Sequence, residues 1–133
     1  MVTFDTNIIV RILVEDDPLQ SKVALNAWRL ALESGGVFLP KLVLAEVIWV
    51  LRVSYGFNRQ TIIGVVEALL RTEGLEVEDV SYIFATLKAY SNGNADFSDY
   101  LILESARHTS ALPVKTFDRR FASHPDVVLL SPE

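Results

Sequence analysis

The chain has 133 residues, half of them hydrophobic, and a formal net charge of −5 with a pI of about 5.0. This length suits one domain with a substantial core. The net negative charge argues against a broad basic surface for binding nucleic acid. The chain contains no cysteine, which excludes disulfides and thiolate zinc sites and fits a reducing cytoplasm.

Hydrophobic periodicity and capping signals predict strands and helices that alternate along the chain. The predicted order is strand 2–5, helix 6–13 or 7–13, helix 18–33, strand 37–40, helix 41–53, helix 58–71, strand 75–77, helix 79–90, helix 100–109, strand 112–116 and strand 127–130. Such alternation predicts one α/β domain over residues 1–133 with a mainly parallel sheet. No segment is predicted to be a signal peptide or a membrane span.

Two acidic residues follow predicted strands. Asp5 ends the run "VTFD", and Asp118 follows "PVKTF". Parallel sheets bind ligands at the carboxyl ends of their strands, so both residues are candidates for a site. Each also has a local explanation, because Asp5 is a good helix N-cap and Asp118 is a good turn residue.

Glu46 stands in the most apolar helix of the chain. Its neighbours on the helix surface are Leu42, Val43, Trp49 and Val50. This pattern predicts a buried helix, in which a lone carboxylate faces a strong desolvation penalty unless a partner compensates it. Pairing with Arg52, or a window to solvent along one edge, would explain Glu46 without a functional role.

The stretch "NADFSDYLILESA" places Asp96 and Asp99 three residues apart, directly before an apolar helix predicted to open at Tyr100. Either residue could cap that helix, and Ser98 could do so as well. Three capping candidates are more than one helix needs, which keeps a functional role open for the two aspartates.

Taken together, four separated segments each offer a carboxylate beside apolar sequence. If these side chains converge they repel one another, and some take up protons unless a cation compensates their charge. Ligands that are all oxygen suit Mg²⁺ or Mn²⁺, and such sites favour hydrolysis of phosphate esters. His108 and His124 lack zinc-ligand spacing and are predicted to be surface or packing residues.

Four segments stand in the order of the acidic motifs of PIN-domain ribonucleases. The segments are "VTFDTNIIVRIL", "LPKLVLAEVIWVL", "ADFSDYLILESA" and "PVKTFDRRF". The chain most resembles a VapC-type toxin of a bacterial or archaeal toxin–antitoxin pair. The resemblance implies a three-layer α/β/α fold, Mg²⁺- or Mn²⁺-dependent endonucleolytic cleavage of RNA, a homodimer and a cognate antitoxin that occupies the site.

The resemblance also assigns residues. Asp5, Glu46, Asp99 and Asp118 match the four family acids, and Asp96 matches an additional acid of members with a "DFxD" form. It implies that Asp5, Glu46 and Asp99 hold the metal, directly or through water, that Asp118 binds a second metal or orients water, and that Asp96 does either or caps the helix. The supporting polar positions that flank these acids are Thr6, Asn7 and Thr116.

An acidic protein that cleaves a polyanion needs local cations. The candidates for RNA contact are Arg11, Lys41, Lys115, Arg119 and Arg120, although pairing with nearby acids explains the last two equally well. The apolar helices early in the chain could instead receive the antitoxin or a second subunit. Trp28, Trp49, Tyr55 and Phe57 are predicted to lie in the core or an interface.

Three other readings compete. A phosphatase of the haloacid dehalogenase type needs a second Asp two residues after Asp5, and Asn7 stands there. A receiver-like regulatory module needs an acidic pair after its first strand, which the lone Asp5 does not supply. A PIN domain that serves only as a scaffold would have lost acids that are all present in this chain.

Overall fold

The computed structural model describes residues 1–131, so the last two residues of the predicted domain lie outside the described residues. Within this range the chain forms five β-strands, six α-helices and one 3-10 turn. It divides into two compact units, one from Met1 to Glu78 and one that begins at Asp79.

The first unit combines a three-stranded parallel sheet with four helices. Its elements are β1 (Val2–Thr3), α1 (Thr6–Leu13), α2 (Pro18–Glu33), β2 (Val37–Leu39), α3 (Lys41–Val53), α4 (Arg59–Leu70) and β3 (Leu75–Val77). The strand order is β1-β2-β3, and Val37 of β2 pairs with Val2 on one side and Leu75 on the other. The central strand is therefore the most buried of the three.

Side-chain caps fix where these helices begin. Asp17 caps α2 by accepting a hydrogen bond from the Gln20 N–H at 3.1 Å, and Asn58 caps α4 by accepting one from the Thr61 N–H at 2.9 Å. Pro18 occupies the first position of α2, where its missing N–H costs nothing. Helix α1 packs against both α2 and α3.

The second unit pairs two helices with a two-stranded parallel sheet. Its elements are α5 (Val80–Asn92), α6 (Phe97–His108), β4 (Val114–Thr116), the 3-10 turn (Phe121–Ser123) and β5 (Val127–Leu129). Helices α5 and α6 pack against each other, and Val114 of β4 pairs with Val127 of β5. The largest buried side chains of this unit include Tyr90, Phe97 and Tyr100.

The predicted α/β class with parallel pairing is confirmed. Helices 18–33 and 41–53 and strand 75–77 match their predicted bounds, and the other four strands are shorter than predicted. One helix start was wrong, because α6 begins at Phe97 rather than at Tyr100. Within residues 1–131, every helix is too short or too polar to cross a membrane.

Candidate active site

Asp5 lies between β1 and α1 and is the N-cap residue of α1. One of its carboxylate oxygens accepts a hydrogen bond from the Ile8 N–H at 3.4 Å, which is long for this geometry. The side chain is exposed, and Thr6 and Asn7 follow as the first two residues of the helix. Capping is therefore confirmed for Asp5, but it engages one oxygen only weakly.

Glu46 lies in the middle of α3 and is exposed, so its predicted burial was wrong. The helix buries only one side, formed by Leu44, Val47, Ile48 and Leu51. Leu42 and Trp49, which lie one turn from Glu46 on the same face, are 69% and 62% exposed. The carboxylate thus avoids a desolvation penalty without a buried partner, and its helix packs against α1, the helix that Asp5 caps.

Asp96 and Asp99 form the start of α6. Asp96 is the N-cap residue, and the Asp99 carboxylate reaches back to accept a hydrogen bond from the Asp96 N–H at 3.1 Å. This contact belongs to a capping box formed by Asp96 and Asp99, and it explains why the helix begins three residues before the predicted start. Asp96 is exposed, whereas Asp99 is half-buried.

Asp118 is held in the turn that follows β4. Its Oδ1 accepts hydrogen bonds from the N–H groups of Arg120 at 2.8 Å and Phe121 at 3.4 Å. Its own N–H donates to the Thr116 hydroxyl at 3.0 Å. The turn role predicted for Asp118 is confirmed, and Thr116 helps to fix the backbone of that turn.

The three aspartates of the second unit influence one another. Partial burial is the largest cause that raises the pKa of Asp99 above its ordinary value of 3.8. A hydrogen bond from the Asp96 backbone lowers that pKa, and the charges of Asp96 and Asp118 raise it further. The charges of Asp96 and Asp118 therefore act on Asp99, and together with partial burial they disfavour its ionised form. We call these three residues the acidic corner.

Tyr100 is a buried residue that contacts the segments on which the acidic corner stands. It is 2% exposed, its Oη accepts a hydrogen bond from the Ala95 N–H at 3.2 Å, and its ring packs edge-on against Phe121 at 5.9 Å. A Cβ at Gly93 would overlap Tyr100 Oη and lie 2.7 Å from its ring carbon Cζ. Tyr100 thus ties together the two segments that carry the acidic side chains, a role that the sequence pattern did not reveal.

Both histidines pack against neighbours of the second unit, as predicted. His108 stacks on Tyr82 with ring centroids 3.9 Å apart and lies 3.4 Å from a carboxylate oxygen of Glu104. His124 Nδ1 accepts a hydrogen bond from the Asp126 N–H at 3.0 Å. These contacts account for both side chains structurally.

Arg11 belongs to a hydrogen-bonded network of the first unit. Its guanidinium donates to Gln20 at 2.6 Å, to Asp16 at 3.2 Å and to the Tyr55 hydroxyl at 3.1 Å. The Tyr55 hydroxyl in turn donates to Asp16 at 2.8 Å. Arg11 therefore fastens α1 to the loop before α2, which gives it a structural role beside the predicted contact with RNA.

The predicted site residues divide between the two units. Asp5, Thr6, Asn7 and Glu46 belong to the first, and Asp96, Asp99, Thr116 and Asp118 belong to the second. Convergence of the two sets stays a prediction. In residues 1–131, no group of three or more His, Cys, Asp or Glu side chains is gathered tightly enough to hold a metal ion as it stands.

Comparison with known proteins defines the class of the chain. The model of the PIN domain family matches residues 2–127, so the chain belongs to the PIN domain family. The chain is also similar to a VapC ribonuclease from Aquifex aeolicus (strain VF5), with 27% identity over 121 residues. That alignment covers 91% of this chain and 90% of the relative, and it confirms the resemblance found in the acidic motifs.

Proposed function

We propose that the chain is a Mg²⁺- or Mn²⁺-dependent endoribonuclease and the toxin of a VapBC-type toxin–antitoxin pair. The observation that carries this proposal is the acidic corner of Asp96, Asp99 and Asp118 in a chain of the PIN domain family. The similarity to a VapC ribonuclease over nearly the whole length of both chains supports RNA as the substrate.

The donor set fits a hard divalent cation. Asp5, Glu46, Asp96, Asp99 and Asp118 all offer carboxylate oxygens, the ligands that Mg²⁺ and Mn²⁺ prefer. The like charges that act on Asp99 in the acidic corner favour binding of a cation there. A bound ion of this kind supplies charge neutralisation and activation of water for phosphodiester hydrolysis.

The chain's own residues would position these carboxylates. The Asp96 N–H holds one oxygen of Asp99, and the N–H groups of Arg120 and Phe121 hold one oxygen of Asp118. In the hydrolysis, the hydroxyl of water bonds to phosphorus, the bond from phosphorus to the leaving oxygen breaks, and that oxygen gains a proton. Asp118 is the group that we assign to orient the attacking water or to bind a second ion.

The proposal includes the architecture and partners that the resemblance implies. The family model runs through both units, which supports a single PIN-like domain over residues 1–133. Exposed apolar side chains on α2, among them Leu19 and Val23 at 79% and 70% exposure, suit a surface that an antitoxin or the second subunit of a homodimer covers. We place this activity in the cytoplasm, where RNA is available.

A cleavage assay tests the function directly. Labelled RNA is incubated with the purified protein and Mg²⁺, Mn²⁺ or EDTA, beside Asp5→Asn and Glu46→Gln. We expect cleavage with either metal, none in EDTA, and a loss of roughly a hundredfold or more in each variant.

Glu67→Gln is the matched control, because Glu67 is also an exposed glutamate on a helix of the first unit. Cleavage that persists in EDTA, or in both acid variants, would rule the mechanism out. Hydrolysis of p-nitrophenyl phosphate without cleavage of RNA would favour the phosphatase instead.

A further inference from the structure

Phe117 is the most exposed aromatic side chain in the described residues. It is 71% exposed, compared with 62% for Trp49 and 57% for Phe84. Phe121, four residues later in the same "FDRRF" stretch, is 3% exposed and packs against Tyr100. The two phenylalanines on either side of "DRR" therefore have opposite environments, and only Phe117 presents its ring to solvent.

Three exposed cations lie within three residues of Phe117 in the sequence. Lys115, Arg119 and Arg120 are exposed, and none of them makes an ion pair with a side chain within residues 1–131. Three arginines elsewhere behave differently, since Arg11, Arg29 and Arg107 all pair with acids. Pairing with nearby acids is thus not what occupies Arg119 and Arg120, although Asp118 stands next to them in the chain.

This combination matches how proteins hold single-stranded nucleic acid. A nucleobase stacks on an exposed aromatic ring, and arginine side chains bind the neighbouring phosphates. Bases within a duplex are already stacked, so such a ring selects unpaired nucleotides. Leu129 and Leu130 lie beside Thr116 across the β4–β5 pairing and are partly exposed. The exposed side chains nearest to Phe117 in the sequence include Lys115, Arg119 and Arg120, and these cations favour a polyanion over an apolar partner.

We infer that Phe117, Arg119 and Arg120 form a platform for an unpaired nucleotide of the RNA substrate. This inference rests on the proposed function and adds to it a substrate contact at the residues that flank Asp118. The base stacks on Phe117, and the two guanidiniums hold adjacent phosphates, which supplies local attraction in a protein with a net charge of −5.

Steady-state cleavage of unpaired RNA tests the platform. Labelled oligouridine and oligoadenine RNAs of about ten nucleotides, a length that one binding surface can span, are cleaved with Mn²⁺ by the unmodified protein and by Phe117→Ala, Phe117→Leu and Phe117→Tyr. We expect Phe117→Ala and Phe117→Leu to raise KM roughly five- to tenfold with little change in kcat. Phe117→Tyr, which keeps an aromatic ring, should stay within about twofold.

Two further measurements separate stacking from other roles. The slope of log(kcat/KM) against the logarithm of salt concentration should become shallower in both Arg119→Gln and Arg120→Gln. In each variant the change should be about one, the value expected for the loss of one phosphate contact. The additional fluorescence of Phe117→Trp, relative to the unmodified protein, should be quenched by unpaired RNA and not by a duplex. Because the ring is exposed, all variants should unfold at the temperature of the unmodified protein.

The outcomes distinguish this inference from the proposed function. If the unmodified protein cleaves RNA and Phe117→Ala has an unchanged KM, the platform is wrong and the nuclease stands. If Phe117→Ala loses inhibition by the purified antitoxin while KM is unchanged, the surface docks a protein and the inference is overturned. If the unmodified protein cleaves no RNA, the proposed function and the platform both fail.

Discussion

The acidic residues of the two units occupy different surroundings. In the first unit, Asp5 and Glu46 are exposed carboxylates on two helices that pack together. In the second unit, Asp99 is half-buried, and the charges of Asp96 and Asp118 raise its pKa. Asp5 caps α1 and Asp96 caps α6, so helix capping does not distinguish the two units. Partial burial combined with like charge distinguishes the second unit, because both raise the pKa of Asp99. This is the region where we propose that a cation binds.

The largest expected effect is on catalysis. Asp99→Asn should lower the rate of RNA cleavage roughly a hundredfold or more, equal to about 2.7 kcal/mol, because it removes the most strongly perturbed carboxylate of the proposed site. The amide oxygen of Asn can still accept the hydrogen bond from the Asp96 N–H, so the helix start is kept.

Asp17→Asn is the matched control for this prediction. Asp17 also caps a helix through one carboxylate oxygen, but it lies in the first unit and outside the predicted site. A comparable loss of cleavage in Asp17→Asn would show that the Asp99 effect is structural and that Asp99 has no special role in catalysis.

The next effect is on stability and contrasts a glycine from each unit. Gly93→Ala should lower the free energy of unfolding by about 2 kcal/mol, because the new Cβ would overlap Tyr100 Oη and must displace it. Gly64→Ala should raise it by roughly 0.5–1 kcal/mol, since Gly64 lies inside α4 with open space around its Cα. Urea unfolding of both variants measures the difference, and equal effects of the same sign would be inconsistent with a tight contact at Tyr100.

A smaller effect depends on pH. Because the folded chain raises the pKa of Asp99 above 3.8, its contribution to stability is present below that pH and is lost as pH rises through the raised value. In EDTA, Asp99→Asn should therefore gain stability over the unmodified protein as pH increases from about 4, the range in which an ordinary Asp titrates. Solvent screening of a half-buried group limits the gain to less than about 1 kcal/mol.

Thermal unfolding at a series of pH values in EDTA measures this gain. Added Mn²⁺ should reverse it, because the cation compensates the ionised carboxylate that the variant lacks. A difference between the two proteins that stays constant with pH would show that the fold does not disfavour the charge of Asp99.

The smallest expected effect is in the first unit. Tyr55→Phe removes the hydroxyl that links Arg11 to Asp16, and it should lower Tm by at most roughly 3 °C. Cleavage of RNA should stay within about twofold of the unmodified protein, because the network lies apart from the acidic corner in the chain. A large loss of cleavage with unchanged Tm would instead assign this network to the site.

Local signals explain what could be predicted from the sequence. Pro18, the glycines after Glu33 and the period of the apolar residues give the bounds of α2, and the same reasoning gives those of α3. The start of α6 was missed because a carboxylate three residues into the helix reaches back to close its first turn. That contact is visible in the sequence as "DFSD", but it competes with the equally plausible cap at Ser98.

Burial was harder to predict than helical structure. Glu46 is surrounded by apolar residues in its helix, yet Leu42 and Trp49 beside it face solvent, because an apolar helix can still bury one side only. The two phenylalanines of "FDRRF" likewise look equivalent in the sequence and differ in the fold. Such differences depend on contacts between residues far apart in the chain, which a reading of local pattern does not contain.

The short strands affect which parts of the fold unfold locally. Each strand spans only two or three residues, so the sheets contribute few backbone hydrogen bonds. Most of the backbone N–H groups that are hydrogen-bonded in regular secondary structure therefore belong to helices. Slow amide hydrogen exchange should therefore concentrate around the buried positions of α3, such as Val47 and Leu51, while β1 at the sheet edge exchanges quickly. Limited proteolysis should accordingly cleave the amino-terminal strand before it cleaves the helices.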